Sequence, residues 1–309
     1  MTTRNWTTEN IGDQTGRVAI VTGSSSGIGF EAARVLANKG MTVVIAVRNA
    51  DKGIAAVKKI HAQNKDARVN VMRLDLADLV SVHEFAENFK KVHSRLDLLI
   101  NNAGVMIPPY SKTKDGFELQ FGTNHLGHFA LTAQLLDLLN TTDGARIVNV
   151  SSMAHRTGNL DFTDLTWEKR SYRAWRAYGD SKLANIYFTK ELARMLKENG
   201  SNVIVTAAHP GWTATELQRH TDYFGIASLL NRLFAQEITI GALPTLRAAF
   251  DPEAHGGEFY GPGGFMRMWG YPVLEQPSEL SEDTTIADRL WEISEKLTGV
   301  KFGLRNAAV

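Results

Sequence analysis

The chain has 309 residues, 43% of them hydrophobic, and a formal net charge of +1. This length and composition indicate an ordinary soluble globular protein, and the almost neutral charge gives no sign of a nucleic-acid partner. The sequence contains no cysteine, which excludes disulfide bonds, thiolate catalysis and cysteine-ligated metal sites.

Residues 1–14 form a polar N-terminal extension with Trp6 as its apolar anchor. They contain no apolar core of a signal peptide, and no apolar run elsewhere reaches the about 20 residues of a membrane-spanning helix. The sequence therefore predicts a cytoplasmic protein without a membrane anchor.

A glycine-rich turn follows the first predicted strand and precedes the first predicted helix. The strand covers residues 18–22, the helix covers 28–39, and the turn between them reads Gly23-Ser-Ser-Ser-Gly27-Ile-Gly29. Glycines at such a turn let the backbone approach a pyrophosphate, whose charge faces the amides and the positive dipole end of the helix. The order predicts a dinucleotide site, although the glycine spacing is not the commoner Gly-x-Gly-x-x-Gly, and a glycine-rich loop without a ligand is the alternative.

The end of the second predicted strand, residues 42–47, indicates which dinucleotide binds. An acidic residue there would bind the ribose 2′-hydroxyl and repel a 2′-phosphate, but the chain has Val47 followed by Arg48. This favours NADP(H) and leaves NAD(H) open, because the glycine turn contains no second basic residue. The alternative for Arg48 is a surface side chain at the start of a loop.

Strands and helices alternate along the rest of the chain. Alternation predicts βαβ units, and right-handed crossovers then give an α/β domain with a doubly wound parallel sheet of about seven strands between helices. Ligands of such sheets bind beyond the carboxyl ends of the strands, so motifs that follow strands should meet in one crevice. The further predicted strands are 69–73, 96–100, 146–150 and 202–208, and the further helices are 50–64, 77–92, 114–139 and 176–199.

Tyr178 and Lys182 stand four residues apart on the predicted helix 176–199. At this spacing both side chains lie on one face of the helix. A cation one turn away favours the phenolate, so we expect the pKa of Tyr178 to fall from its ordinary value of about 10 toward neutrality. The pair is therefore a candidate acid/base catalyst, although a solvated helix face is the alternative for this spacing alone.

Further motifs along the chain are Asn101-Asn-Ala-Gly104, Asn124, Ser151-Ser152 and Pro210-Gly211. With the glycine turn and the Tyr/Lys pair, they resemble the short-chain dehydrogenase/reductase (SDR) family, and within it the retinol-dehydrogenase-like branch. The resemblance runs from about Arg17 to Gly211. The length of the chain, with the motifs interleaved and no Pro/Ser-rich linker between them, predicts a single Rossmann-fold domain over residues 1–309.

The resemblance implies an oxidoreductase that transfers hydride between a nicotinamide and a carbonyl or alcohol carbon. It implies that Tyr178 exchanges a proton with the substrate oxygen and that Ser152 donates a hydrogen bond to that oxygen. Lys182 would bind the nicotinamide ribose and lower the pKa of Tyr178, and Asn124, in a kinked helix, would hold a water molecule against the lysine. No acyl-enzyme is expected, because Ser152 lacks the Gly-x-Ser-x-Gly elbow of serine hydrolases.

Cofactor contacts are predicted from the glycine turn, from Arg48 and from family positions after later strands. Asp75, followed by Leu76, matches the position that contacts adenine, although the alternative for it is a cap of the helix that begins near Ala77. The resemblance places the turn at 101–104 beside the adenosine and the stretch from Pro210 against the nicotinamide carboxamide. The predicted set is Gly23, Ser25, Ser26, Gly27, Ile28, Gly29, Arg48, Asp75, Leu76, Asn102, Ala103, Gly104, Tyr178, Lys182, Pro210, Gly211, Thr213 and Thr215.

The substrate is expected to meet the segment that is least like the family, residues 212–243. Its apolar side chains indicate a helical lid over a hydrophobic aldehyde, ketone or alcohol, and the alternative is that they pack on their own domain or on a second subunit. Residues 155–177 are an insertion that we expect to form one wall of the site. The tail contributes a last edge strand at 256–260 and a C-terminal extension, 261–309, with no assigned role.

No metal site is predicted. His125 and His128 are the closest histidine pair, but no third ligand stands at a suitable spacing and the hydride transfer needs no metal. SDR oligomers pair the two helices that carry Asn124 and Tyr178, so the resemblance implies a homodimer or homotetramer, with a monomer left open.

Two other functions remain open from the sequence. One is a protein without catalysis that senses NADP(H) or binds a partner on the same fold, although such a protein has no need of the complete set Asn124, Ser152, Tyr178 and Lys182. The other is reduction of an activated C=C bond, for which the related enzymes use a cysteine proton donor that this chain lacks.

Overall fold

Residues 5–213 and 236–304 are described by the structure, a computed structural model. Within them the strands are β1 Val18–Thr22, β2 Thr42–Val47, β3 Val69–Arg73, β4 Leu98–Asn101, β5 Arg146–Val150, β6 Ile204–Ala208, β7 Phe259–Pro262 and β8 Pro272–Glu275. They form one eight-stranded sheet in the order β3-β2-β1-β4-β5-β6-β7-β8. All neighbouring strands are parallel except β7 and β8, which are antiparallel. The predicted doubly wound α/β fold is thereby confirmed.

Helices pack on both faces of the sheet. They are α1 Gly27–Asn38, α2 Ala50–Gln63, α3 Leu79–Val92, α4 Leu119–Phe121, α5 Gly127–Asn140, α6 Ala174–Glu198, α7 Ile238–Gly241, α8 Leu243–Phe250 and α9 Thr284–Thr298, with a π turn Gly122–Leu126 between α4 and α5. Residues of α1, α2 and α8 join one apolar core, and residues of α3, α5, α6 and α9 join the core on the other face. None of the helices in the described ranges is both long and apolar enough to cross a membrane.

The sequence of β1 explains its central place in the sheet. Its residues are all buried, and they alternate between the two faces. Ala19 and Val21 pack in the core that contains α1, whereas Val18 and Ile20 pack in the core that contains α3. A run of apolar residues with no polar alternation therefore becomes a strand covered by helices on both sides.

Most predicted boundaries agree with the structure to within two residues, but two elements differ by more and one strand is added. The helix expected over 114–139 begins only at Leu119. The edge strand expected at 256–260 is shifted to β7, and it is not an edge, because β7 pairs with both β6 and β8. The true edge, β8, carries only four residues, too few for a periodic pattern to identify. Most of the predicted lid, residues 214–235 with Thr215, lies outside the described residues.

The C-terminal helix α9 packs against α5 and α6. Trp291 of α9 is buried, and its ring lies 5.1 Å from the ring of Phe129 on α5 and 6.0 Å from that of Phe188 on α6. Phe302, which follows α9, lies 4.5 Å from Trp291, measured between ring centres. The chain's own C-terminal part therefore covers a portion of the two helices that the family uses for its four-helix contact, and the oligomeric state stays a prediction.

Replacement of Trp291 by alanine should lower the free energy of unfolding by about 3–5 kcal/mol, because it removes a buried aromatic side chain from a closed cluster. Denaturant unfolding followed by circular dichroism measures this change. Trp175→Ala is the matched control, because that ring is 61% exposed and its loss should change the free energy by no more than about 0.5 kcal/mol. Equal effects of the two substitutions would contradict the packing described here.

Candidate active site

The glycine-rich turn between β1 and α1 lies against the turn that follows β4. Gly23 has a φ of +66°, and a Cβ atom there would lie 2.8 Å from the Cα atom of Ala103. A Cβ atom on Gly29 would lie 2.3 Å from Nδ2 of Asn102. Glycine is therefore required by the close approach of the two turns. The first turn of α1, which begins at Gly27, carries amides that have no partner within the helix, and such an end binds phosphate groups.

Thr22, the last residue of β1, connects the two turns through its hydroxyl. Its Oγ1 accepts hydrogen bonds from the backbone N–H groups of Asn102 and Ala103, both at 2.9 Å. It also lies 2.9 Å from Nε2 of His128, whose Nδ1 is 3.0 Å from the carbonyl oxygen of Asn124. Nδ1 therefore carries the proton of His128, and burial lowers the pKa of this histidine to about 4, so it is neutral at physiological pH.

The other residues predicted to bind the cofactor in this first part of the chain differ in the contacts that they make in the structure. Arg48 follows β2 and is exposed, and it makes no hydrogen bond or ion pair with the part of the chain that the structure describes. Oδ1 of Asp75 accepts from the N–H of Ala77 at 3.1 Å, while Asp78 is the N-cap of α3. Asp75 thus stabilises the turn before the helix, and its adenine contact stays a prediction. Ser25, Ser26 and Ile28 lie in the glycine turn, and Leu76 is buried.

Tyr178, Lys182 and Ser152 meet at the carboxyl end of β5. The hydroxyl of Ser152 lies close enough to the phenol of Tyr178 to affect its pKa. Nζ of Lys182 lies 5.8 Å from the centre of the Tyr178 ring and donates to the carbonyl oxygen of Val150 at 3.0 Å. Tyr178 and Lys182 are 5% and 3% exposed. The helix and the strand thus bring a phenol, a hydroxyl and an amine to one buried place, as the sequence predicts.

The pKa of Tyr178 changes in the direction opposite to the one expected from the sequence. Burial raises it to about 12, and the nearby hydroxyl of Ser152 acts in the other direction without overcoming burial. Burial also lowers the pKa of Lys182 to about 8. The prediction from the sequence included only the attraction between a phenolate and the lysine. Burial disfavours the charged form of each side chain, and its effect is larger. Tyr178 is therefore a protonated phenol, which is the form that can donate a proton to a carbonyl oxygen.

Asn124 lies in the π turn Gly122–Leu126, which is the form that the expected helix kink takes. Its Oδ1 accepts from the N–H of Val105 at 2.8 Å, and its Nδ2 donates to Val105 O at 3.0 Å and to Ser181 Oγ at 2.9 Å. A Cβ atom on Gly104 would lie 3.0 Å from Asn124 Oδ1 and 3.6 Å from Nζ of Lys182. Asn124 therefore fixes the chain after Gly104 beside the lysine. The water contact of Asn124 stays a prediction.

The stretch predicted to hold the nicotinamide follows β6 and is fixed by close backbone contacts. Gly211 has a φ of +66°, and a Cβ atom on it would lie 2.3 Å from the carbonyl oxygen of Met268. Thr213 Oγ1 and Gln236 Nε2 donate to the carbonyl oxygen of Pro210 at 2.9 Å and 2.7 Å. The turn is thus held between the residues that follow it and the hairpin that joins β7 to β8.

The insertion 155–177 packs on the segment between β4 and α4. The hydroxyl of Tyr172 donates to Oε1 of the buried Glu118 at 2.9 Å and accepts from Nε2 of Gln120 at 2.8 Å. Oε1 of Gln120 accepts from the N–H of Ile107, a residue with a φ of +55°. Non-glycine residues rarely adopt this conformation, so the insertion supports a strained part of the chain that follows the 101–104 turn.

Some residues that shape the site carry no signal in the sequence. Thr22 and His128 act through hydrogen bonds between distant segments, and Gln120 and Glu118 do the same beneath the insertion. None of them belongs to a short motif. The spacing of His125 and His128 suggests a metal pair and gives no sign of the hydrogen bonds that His128 makes. No group of metal-ligating side chains forms within residues 5–213 and 236–304.

The sheet order, the glycine turn, and Ser152 beside the buried Tyr178 and Lys182 define a class of dinucleotide-dependent oxidoreductases. The family model described as short chain dehydrogenase matches residues 17–223. The chain belongs to this family, and membership implies a nicotinamide cofactor.

Relatives within the family include several retinol dehydrogenases. The chain is 42% identical to retinol dehydrogenase 12 of Mus musculus over 289 residues, which cover 93% of this chain and 88% of that protein. It is 42% identical to retinol dehydrogenase 13 of Homo sapiens, with 93% of this chain and 86% of that protein covered. The chain is therefore a retinol-dehydrogenase-like member of the family, as the sequence predicts.

Solved structures share the fold. An uncharacterized protein from Mycobacterium paratuberculosis has a TM-score of 0.82 and 41% identity, covering 97% of this chain and 100% of that one. The RhlG/NADP active-site complex of Pseudomonas aeruginosa has a TM-score of 0.63 and 24% identity, covering 80% of this chain and 94% of that one. The second similarity shows the fold alone.

Gly29→Ala should weaken binding of the nicotinamide dinucleotide by at least about tenfold, because the new methyl group forces the 101–104 turn away from the glycine turn. Fluorescence titration with NADPH and with NADH measures the dissociation constants. Gly12→Ala is the matched control, because a Cβ atom at Gly12 meets nothing within 4 Å. Unchanged affinity in the Gly29 variant would show that the cofactor does not use this turn.

Proposed function

We propose that the chain is an NADP(H)-dependent oxidoreductase that interconverts a hydrophobic aldehyde or ketone and its alcohol. The observation that carries the proposal is the Ser152 hydroxyl beside the buried and protonated phenol of Tyr178, with Lys182 on the next helical turn. A phenol and a hydroxyl at one place provide two donors for one oxygen atom, which is what the reduction of a carbonyl group requires.

The chain's own residues then perform the proton chemistry. A bound nicotinamide supplies the hydride to the carbonyl carbon. As negative charge develops on the carbonyl oxygen, Ser152 stabilises it by a hydrogen bond and Tyr178 transfers the phenolic proton to it. Lys182 then faces a developing phenolate, which its positive charge stabilises, so Tyr178 becomes charged only as the reaction proceeds. Alcohol oxidation is the reverse, with Tyr178 as the phenolate that accepts the proton of the hydroxyl group.

The preference for NADP(H) rests on Arg48. The residue lies directly after β2. The last residue of β2, Val47, is buried, and no acidic side chain stands there to bind a ribose 2′-hydroxyl. Its exposed guanidinium makes no ion pair with the described part of the chain, so it is available for a phosphate group. A guanidinium binds phosphate through charge-assisted hydrogen bonds, and this contact distinguishes the two dinucleotides.

A hydrophobic substrate is supported by the surroundings of the 210–213 turn and by the relatives. Trp212 is 40% exposed, and Phe265 and Met266 in the adjoining hairpin are 75% and 61% exposed. Apolar side chains of this size on the surface commonly mark a binding site. The retinol dehydrogenases that the chain resembles are named for an apolar alcohol, and we infer the same class of substrate here.

Tyr178→Phe should lower kcat by about 10²- to 10⁴-fold, because it removes the proton donor while keeping the ring. Oxidation of NADPH in the presence of retinal, aliphatic aldehydes, aromatic aldehydes and cyclic ketones measures the activity. NADPH affinity should change little. Tyr187→Phe on the same helix is the matched control and should keep its turnover, because the Tyr187 hydroxyl donates to Leu280 O on another side of α6. Full activity of the Tyr178 variant would exclude its role as proton donor.

Arg48→Ala should raise the dissociation constant for NADPH by about ten- to a hundredfold and leave that for NADH almost unchanged, because only NADPH loses a charge-assisted contact. Titration of the purified variant with each dinucleotide gives both values. Lys58→Ala, an exposed cation on α2, controls for the general loss of positive charge. A parallel change for both dinucleotides would refute the assignment of Arg48 to the 2′-phosphate.

A further inference from the structure

Glu275, a buried carboxylate on the edge strand β8, connects the two loops that carry the candidate site. Its Oε2 accepts from Nε2 of His209 at 2.8 Å, and its Oε1 accepts from Nη2 of Arg156 at 3.0 Å. His209 directly precedes Pro210, and Arg156 lies in the turn that begins after Ser152. The side chains of His209 and Glu275 are 0% and 3% exposed.

The ionisation of Glu275 fixes the proton on His209. Burial raises the pKa of Glu275, but the hydrogen bonds from His209 and Arg156 outweigh burial and lower it below its usual range. The carboxylate can only accept, so Nε2 of His209 must carry the ring proton and Nδ1 is left as an acceptor. Nδ1 accepts the N–H of Gly211 at 3.2 Å.

The neighbouring strand is adapted to this contact. A Cβ atom on Gly261 in β7 would lie 2.1 Å from Nε2 of His209 and 2.3 Å from Oε2 of Glu275. Glycine weakens a strand, and here it provides the space through which the hydrogen bond between His209 and Glu275 crosses β7. The ring of His209 also stacks on Phe259 of β7, with 5.2 Å between ring centres.

The turn that begins at Ser152 and continues through Met153–Thr157, here called the serine loop, is attached to the same edge of the sheet by a second histidine. Nδ1 of His155 lies 2.7 Å from the carbonyl oxygen of Ser152, and Nε2 accepts from the N–H of Ser278 at 3.1 Å. The ring of His155 meets Phe259 edge-on at 5.3 Å. Both loops are therefore held by β7, β8 and the residues that follow β8.

We propose that His209 is a positioning residue for the cofactor: oriented by Glu275, it holds the amide of Gly211 and with it the turn that receives the nicotinamide. The inference rests on the proposed function, because that function assigns residues 210–213 to the nicotinamide. His209 acts through Gly211 and has no role in hydride or proton transfer. Arg156 keeps Glu275 charged and ties the same carboxylate to the serine loop.

Two substitutions of His209 separate its two hydrogen bonds. In His209→Asn the amide oxygen lies near the place of Nδ1 and can still accept from Gly211, whereas in His209→Gln the amide nitrogen can still donate to Glu275. Both substitutions remove the imidazole ring that stacks on Phe259, so this contact is lost equally in the two variants. NADPH affinity, measured by fluorescence titration without turnover, should fall about five- to tenfold in His209→Gln and less than about twofold in His209→Asn.

A second pair of variants tests the role of the carboxylate. Glu275→Gln keeps an oxygen that accepts from Nε2 of His209, so affinity should stay within about twofold. Glu275→Leu removes the group that accepts from Nε2 of His209. The proton can then move to Nδ1, which no longer accepts from Gly211, so NADPH affinity should fall as in His209→Gln. His255→Gln is the control, because that histidine pairs with Glu258 on the surface with its side chain 81% exposed.

Two results would overturn the inference. Equal NADPH affinity in His209→Asn and His209→Gln would show that the Gly211 contact does not position the cofactor, whatever their thermal stability. An affinity of Glu275→Leu equal to that of the original protein would show the same for the carboxylate. Failure of the original protein to bind NADPH or NADH would instead overturn the proposed function together with this inference, so the two failures are distinguishable.

Discussion

Burial of Tyr178 and Lys182 on one helical turn is the constraint on which the rest of the site depends. In water both side chains have a pKa of about 10, and here both are almost completely buried. Burial raises the pKa of Tyr178 to about 12 and lowers that of Lys182 to about 8. Burial therefore keeps the phenol of Tyr178 protonated, and it places the amine of Lys182 where a positive charge would stabilise a phenolate.

The sheet supplies the geometry that makes this burial possible. The carboxyl ends of β1, β4, β5 and β6 meet at one edge, and the turns that follow these strands are joined by hydrogen bonds rather than by apolar contact. Thr22 holds the 101–104 turn, Asn124 holds the chain after Gly104 to α6, and His209 holds Gly211. The antiparallel edge strand β8 closes this arrangement through Glu275, so residues far from the motifs determine the position of the motifs.

Much of the fold and the main site residues were predictable because they depend on local patterns. Apolar runs identify the parallel strands, and the glycine turn and the Tyr178/Lys182 spacing need only a few neighbouring residues. The direction of the Tyr178 pKa was not predictable, because it depends on burial that many segments create together. The edge strand β8 and the role of Glu275 were not predictable for the same reason. A short strand with one carboxylate carries no pattern of its own, and its contacts are with His209 and Arg156, which are distant in the sequence.

The most direct test of hydride transfer to a carbonyl carbon uses retinal, an aldehyde that also contains conjugated C=C bonds, with NADPH that carries deuterium at the reactive C4 position. The position of deuterium in the product is then determined by NMR. The account predicts one deuterium on the carbon that bears the new hydroxyl group, and about 10²- to 10⁴-fold slower transfer when Tyr178 is replaced by phenylalanine. Deuterium on a carbon of the former C=C bond would contradict it in favour of C=C reduction, and a protein that binds NADPH but transfers no deuterium to any carbonyl compound would contradict it in favour of a sensor.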